Sequence, residues 1–234
     1  MNAQITGLSE EPALVHGPPG TGKTQVLVTL VYSLFNSGEQ VLVCAPLNIA
    51  TDHLFKALGR IIGKGVWRLR DCTMWNNEGR IESFKDSENS LQPYTSDKTI
   101  QKQVLCCTCV GAGIKFDKIQ KNDRFDAVII DEVAQATELE TLIPIVRSRK
   151  KLTLFGDDCQ LGPVVLDDET RQSGLAYSMF RRLLMLPNIA NILLNEQYRI
   201  NFHIWEATSK TFYNGRVYSM VDQVDGISGC PEFP

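Results

Sequence analysis

Short, uninterrupted apolar runs alternate along this chain with segments whose apolar residues recur at helical spacing. The runs are Ala13-Leu14-Val15, Val41–Ala45, Val104–Cys109, Ala127–Ile130, Leu152–Phe155 and Ile189–Leu194. Their length and their bounding polar or Gly residues predict buried strands. After the first run, Val26, Leu27, Leu30, Val31, Leu34 and Phe35 fall at i, i+3, i+4 spacing and predict an amphipathic helix, stopped by Gly38. Such alternation predicts an α/β domain, a mainly parallel sheet flanked by helices. From about Asp71 to Asp97 the pattern fails. Polar residues dominate there, Trp75 and Phe84 show no periodicity, and the stretch reads as an insertion or mobile loop. One domain over residues 1–221 is expected, with a linker from Asp222 to Pro234.

Candidate chemistry begins just after the first strand. Gly17-Pro18-Pro19-Gly20-Thr21-Gly22-Lys23-Thr24 satisfies G-x-x-x-x-G-K-[ST], the phosphate-binding loop of P-loop NTPases, in the required place between strand and helix. Its glycines let backbone N–H groups face phosphates, and the helix N-terminus adds partial positive charge. Lys23 would reach the β- and γ-phosphates, and Thr24 would offer its hydroxyl to Mg²⁺. A nucleoside triphosphate and Mg²⁺ are the expected ligands.

A second strand, Phe125–Ile130, ends in Asp131-Glu132. In a P-loop protein Asp131 would hold the Mg²⁺ shell and Glu132 would accept a proton from the attacking water. The competing reading makes these acids the N-cap and first turn of a following helix. A third strand, Leu152–Phe155, leads into Gly156-Asp157-Asp158-Cys159-Gln160-Leu161-Gly162-Pro163, which should open on the same sheet edge. Gln160 there could donate to a phosphate oxygen and orient water.

Composition narrows the class only a little. At 234 residues, 43% apolar and 22% charged, the chain suits a globular domain with a sizeable core. No run approaches the length of a membrane-crossing helix, and Met1–Ile5 lacks the design of a signal peptide. Seven cysteines, three of them in Cys106-Cys107-Thr108-Cys109, read with only three histidines as reduced, mostly buried thiols of a cytosolic or nuclear protein. A net charge of −3 gives no global support for nucleic-acid binding, which must rest on local features.

Taken in order, Gly17–Thr24, Asp131–Glu138, Gly156–Pro163 and Gln197-Tyr198-Arg199 resemble the successive motifs of superfamily-one helicases of the Upf-like branch. Cys44–Asp52 and Cys106–Gly113 resemble that branch's two strand-contacting motifs, so the likeness covers roughly residues 13–58 and 103–217. The resemblance implies a RecA-like P-loop NTPase domain. It implies that Gln160 senses the γ-phosphate, that Arg199 contacts it, and that Tyr198 stacks near the adenine. Asn2-Ala3-Gln4 resembles the adenine-reading glutamine motif, which makes Gln4 a candidate base contact. Pro46, Asn48, Thr108, Val110 and Gly111 would line the path of single-stranded RNA or DNA, through contacts to sugar and phosphate that tolerate any base sequence. Nothing after Phe212–Arg216 resembles the second RecA-like domain of that family, which would be a partner supplied by a longer protein. The expected function is the ATP-binding first half of a helicase motor. The alternative is a truncated nucleotide- or protein-binding module without motor activity.

Overall fold

The computed structural model describes residues 11–70, 73–76, 81–83, 104–114 and 124–221. Gln4, residues 222–234 and most of the 71–97 interval lie outside them. In chain order the strands are β1 (Ala13–His16), β2 (Val41–Ala45), β3 (Val66–Arg70), β4 (Thr73–Asn76), β5 (Ile81–Ser83), β6 (Val104–Thr108), β7 (Phe125–Ile130), β8 (Ser148–Gly156) and β9 (Ala190–Leu193). They form one sheet in the order β5-β4-β3-β6-β2-β7-β8-β1-β9. From β3 to β9 every pairing is parallel, while β4 and β5 add an antiparallel hairpin at one edge. Part of the polar 71–97 interval therefore extends the sheet. A parallel pair of two-residue strands, β10 (Glu196–Gln197) and β11 (Tyr218–Ser219), stands apart from it.

All six expected strands are present. The apolar pattern does not flag β3, because Arg68 and Arg70 interrupt its apolar residues.

Both faces of the sheet are covered, which explains why its strands read as continuous apolar runs. The side-chain period of two splits each strand between two cores. Val41, Val43 and Ala45 face helices α1 (Lys23–Asn36) and α2 (Asn48–Ile62), packing with Leu27, Leu30, Leu34, Leu54 and Leu58. Leu42 and Cys44 face the other side, with Val128, Ile130, Leu154, Met179 and Phe180. That side is covered by α3 (Gly111–Ile114), α4 (Glu138–Ile145) and α5 (Met179–Leu184). Each fully buried leucine contributes about 2 kcal/mol by transfer from water. Cys106 packs in the first core and Cys109 in the second, so these thiols three residues apart face opposite sides of the sheet.

A third, small cluster sits under α6 (Phe202–Tyr213), where Trp205 stacks on Tyr213 at 5.7 Å between ring centroids. The Trp205 indole N–H and the Ser209 hydroxyl both donate to the Val217 carbonyl, at 3.0 and 2.6 Å. These bonds tie the last described turn back onto the helix. The described residues contain no helix long and apolar enough to cross a membrane.

Candidate nucleotide and nucleic-acid site

In a parallel sheet the C-terminal strand ends share one edge. The chain passes from β1 across β8 and β7 to β2, so the loops after β1, β7 and β8 meet. The loop after β1 turns through Gly20 and Gly22, both at φ 78°, and α1 starts at Lys23 with no side-chain cap on its N-terminus. Gly20 is needed twice over. Its positive φ disfavours other residues, and a Cβ there would lie 3.0 Å from Arg199 Cβ and 3.1 Å from Gln197 Oε1. The Gly17 N–H donates to the Gly156 carbonyl at 2.9 Å, which seats the loop on the end of β8.

One cleft of about 510 Å³ is lined by Gly17–Gln25, Glu132, Gln160 and Arg199, with Val28, Ala57, Arg60 and Ile61 on its outer wall. The residues from Gly17 to Thr24 and Glu132, Gln160 and Arg199, all singled out from the sequence, thus converge. Asp131 lies beneath this lining, only 5% exposed, with Oδ1 4.0 Å from Lys23 Nζ. Burial pushes its carboxyl up to about 6, against the pull of the Lys23 ammonium. Lys23 Nζ also donates to Glu132 Oε1 at 2.6 Å, and Glu132 Oε2 accepts from Gln135 Nε2 at 3.2 Å.

Glu132 sits at φ 52° and opens only a 3₁₀ turn, Val133–Gln135. The N-cap of α4 is Thr137, in a capping box with Glu140. Glu132 thus occupies the N-cap position of that short turn without a side-chain cap, while the next α-helix is capped by Thr137.

Thr24 lines the cleft and Asp131 lies 4.0 Å from Lys23; a hydroxyl and a carboxylate are hard oxygen donors of the kind Mg²⁺ takes.

Sequence reading gave Asp157 no role, yet it organises the rear of the site. This 1%-exposed carboxylate accepts from His16 Nε2 at 2.9 Å, Gln160 Nε2 at 2.6 Å, the Tyr213 hydroxyl at 2.8 Å and the Cys159 N–H at 3.1 Å. Burial raises its pKa, but these donors together hold it below the ordinary carboxylate value. Gln160 is thereby fixed with one amide N–H on Asp157, and its carbonyl oxygen remains for the cleft. The available signal was positional: Asp157 follows β8 as Asp131 follows β7.

Gln197 also has a role that its place in the sequence does not reveal. Fully buried, it accepts from the backbone N–H of Arg199 and Ile200 and donates to the Ile200 carbonyl and the Ser219 hydroxyl. It shapes the turn that presents Arg199. The Tyr198 N–H donates to the Gly20 carbonyl at 2.9 Å, clamping that turn to the phosphate loop. The Tyr198 side chain is 59% exposed, is not among the residues lining the cleft, and bonds Glu196 through its hydroxyl.

The two strand-contacting motifs lie about sixty residues apart in sequence and side by side in space. Ala45 and Thr108 pair in register, and the Cys109 N–H donates to the Ala45 carbonyl at 3.0 Å. Thr108 Oγ1 accepts the Gly111 N–H at 3.0 Å, and a Cβ on Gly111 would meet that oxygen at 2.8 Å. Leu47, Asn48, Ile49 and Val110 are exposed around these turns.

A family model described as an AAA domain matches residues 2–102 and 70–168. The regulator of nonsense transcripts 1 homologue of Arabidopsis thaliana is 34% identical over 100% of this chain and 21% of its own length. The ATP-dependent helicase NAM7 of Saccharomyces cerevisiae is 36% identical over 94% of this chain and 25% of its own length. The DNA replication ATP-dependent helicase/nuclease DNA2 of Bos taurus is 30% identical over 97% of this chain and 21% of its own length. Among solved structures, an arterivirus non-structural protein 10 helicase in complex with DNA superposes with a TM-score of 0.53 at 16% identity, over 94% of this chain and 44% of that one. The last likeness concerns the fold alone. This chain belongs to the AAA-domain family, as a first RecA-like domain of Upf-like superfamily-one helicases.

Proposed function

We propose that this domain binds Mg·ATP and forms one half of a motor that couples its hydrolysis to movement along single-stranded nucleic acid. The observation that carries the reading is the convergence of Lys23, Glu132, Gln160 and Arg199 on one cleft. A triphosphate entering that cleft would exchange the Lys23–Glu132 ion pair for a Lys23–phosphate contact. Glu132 would then be released to take a proton from water. When bound, Mg²⁺ would neutralise phosphate charge. Thr24 and Asp131 would hold it, while Gln160, steadied by Asp157, would orient the attacking water. Arg199 would meet charge developing on the γ-phosphate. Gln4 and Tyr198 are proposed contacts for the adenine.

Pro46, Asn48, Thr108, Val110 and Gly111 are proposed to line the strand path. Asn48 and Val110 are exposed there, Pro46 and Thr108 half-buried and Gly111 buried, so contact at Gly111 would fall to the backbone of its turn. The cleft described here has one wall. A second RecA-like domain, as a partner, would close it and bring the further arginine on which fast hydrolysis depends, worth about 10³–10⁵ in rate.

The test is phosphate release by residues 1–234, with and without single-stranded RNA and DNA. Slow turnover with little stimulation is expected, and stimulation should appear in a longer polypeptide that adds the second domain. Robust strand-stimulated hydrolysis by residues 1–234 alone would overturn the half-motor reading.

A further inference from the structure

Arg68 sits on β3 and is only 3% exposed. Its guanidinium has three acceptors: Nε donates to Asp52 Oδ1 at 2.8 Å, a terminal nitrogen to Asn48 Oδ1 at 2.8 Å, and the other to the Leu69 carbonyl at 2.5 Å. Asn48 and Asp52 stand one turn apart on the first turns of α2. Arg68 also pairs in register with Cys106 on β6, the strand that delivers Thr108. One buried cation thus holds the Asn48 half of the proposed strand path, from a strand that pairs with the one leading to the other half.

A guanidinium can only donate hydrogen bonds. Asn48 must therefore turn its carbonyl oxygen inward and its amide –NH₂ outward. The residue is exposed, so two N–H donors face solvent beside the Pro46 turn. Without Arg68 the amide could flip and present an acceptor, which phosphate oxygens repel. Asp52 completes the arrangement by fixing the guanidinium's own orientation.

We propose that Arg68 is a positioning residue for nucleic-acid binding, acting through Asn48 to present a fixed pair of N–H donors to the phosphate and sugar acceptors of a single strand. The inference rests on the strand-path reading above. It goes beyond that reading by making a buried residue on a strand outside both motifs a determinant of affinity. A merely structural arginine would dock α2 on β3 and be indifferent to which way the Asn48 amide points.

The experiment is fluorescence anisotropy of labelled oligouridylate and oligothymidylate at low salt, on unmutated protein, Asn48→Ala, Arg68→Met and the double variant. Circular dichroism reports folding. Each single variant should weaken binding by roughly three- to tenfold, the range of one or two lost hydrogen bonds. The double variant should bind no more weakly than Asn48→Ala alone, because the Arg68 effect runs through that amide. Losses that multiply, or Arg68→Met binding like the unmutated protein, would overturn the proposal. If Arg68→Met does not fold, Arg68→Lys decides. It keeps the charge but cannot hold Asp52 and Asn48 in one planar fork, so the same loss is expected, and unmutated affinity sinks the idea. Failure of the unmutated protein to bind either oligonucleotide removes the strand path itself, an outcome distinct from failure of the Arg68 cycle.

Discussion

The nucleotide cleft and the proposed strand-contacting turns lie at the C-terminal edge of one sheet, yet they are built in different ways. The cleft is a web of charged and amide side chains: Lys23 on Glu132, Glu132 on Gln135, Gln160 on Asp157, Gln197 on the backbone of Arg199. The proposed strand edge has fewer such bonds, those of Arg68 to Asp52 and Asn48. Its shape comes from turns and from small contacts such as the Thr108 hydroxyl on the Gly111 N–H. A triphosphate concentrates charge and demands charge in return, at fixed points. A single strand offers the same sugar and phosphate at every step, so geometry serves better than charge. The net charge of −3 does not weigh against a phosphate site, because Lys23, Arg60 and Arg199 gather at the cleft.

The largest effect that would break this contrast belongs to Glu132→Gln. The amide fills the same space but cannot take a proton, so hydrolysis by a longer polypeptide carrying the second domain should fall by about 10²–10⁴. Phosphate release measured at saturating ATP decides it, and an unchanged rate would move the base to another residue. Lys23→Ala comes next. Losing a charge-assisted contact should weaken nucleotide binding by roughly ten- to a hundredfold, read by titrating a fluorescent ATP analogue.

Asp131→Asn sharpens the comparison through stability. Burial raises this carboxyl from 3.8 to about 6, so the folded state binds its proton more tightly than the unfolded chain. The associated stability is fully present below the unfolded value near 3.8 and is lost as pH rises through about 6. At roughly 1.4 kcal/mol per pKa unit, the ionised group destabilises the fold by on the order of 3 kcal/mol at neutral pH. Asp131→Asn should therefore melt higher than the unmutated protein at pH 7, with the gap closing as pH falls toward 4. A gap that does not change with pH would show that Asp131 is ionised without penalty.

The smallest expected effect lies at the strand edge. Thr108→Ala removes one hydrogen bond within a turn. It should weaken single-strand binding about two- to fivefold and lower stability by about 1 kcal/mol, measured by anisotropy and thermal melting. A loss as large as that of Lys23→Ala would mean that side-chain chemistry, not backbone shape, carries the edge.

Legibility follows the same division. Gly17–Thr24, Asp131-Glu132 and Gln160 could be read from the chain because each chemistry needs particular residue types directly after a strand. Six strands were readable because burial on both faces requires unbroken apolar runs. β3 escaped because Arg68, a charge that reads as exposed, is buried among acceptors supplied by α2. Part of the polar 71–97 interval read as a loop, but β4 and β5 pair there at the sheet edge, where strands do not have to be apolar on both faces.

By itself the sequence determined the local chemistry: a loop able to wrap phosphate, acids at a strand end, a glutamine and an arginine in suitable turns. Such features depend on neighbours within a few residues, so they survive in one dimension. Only the tertiary structure decided which groups share a space. It brought His16 and Tyr213 onto Asp157, set the Tyr198 turn against Gly20, and aimed the Asn48 amide by means of Arg68. Those contacts join residues 20 to 178 positions apart, and only the order of strands in the sheet makes them neighbours.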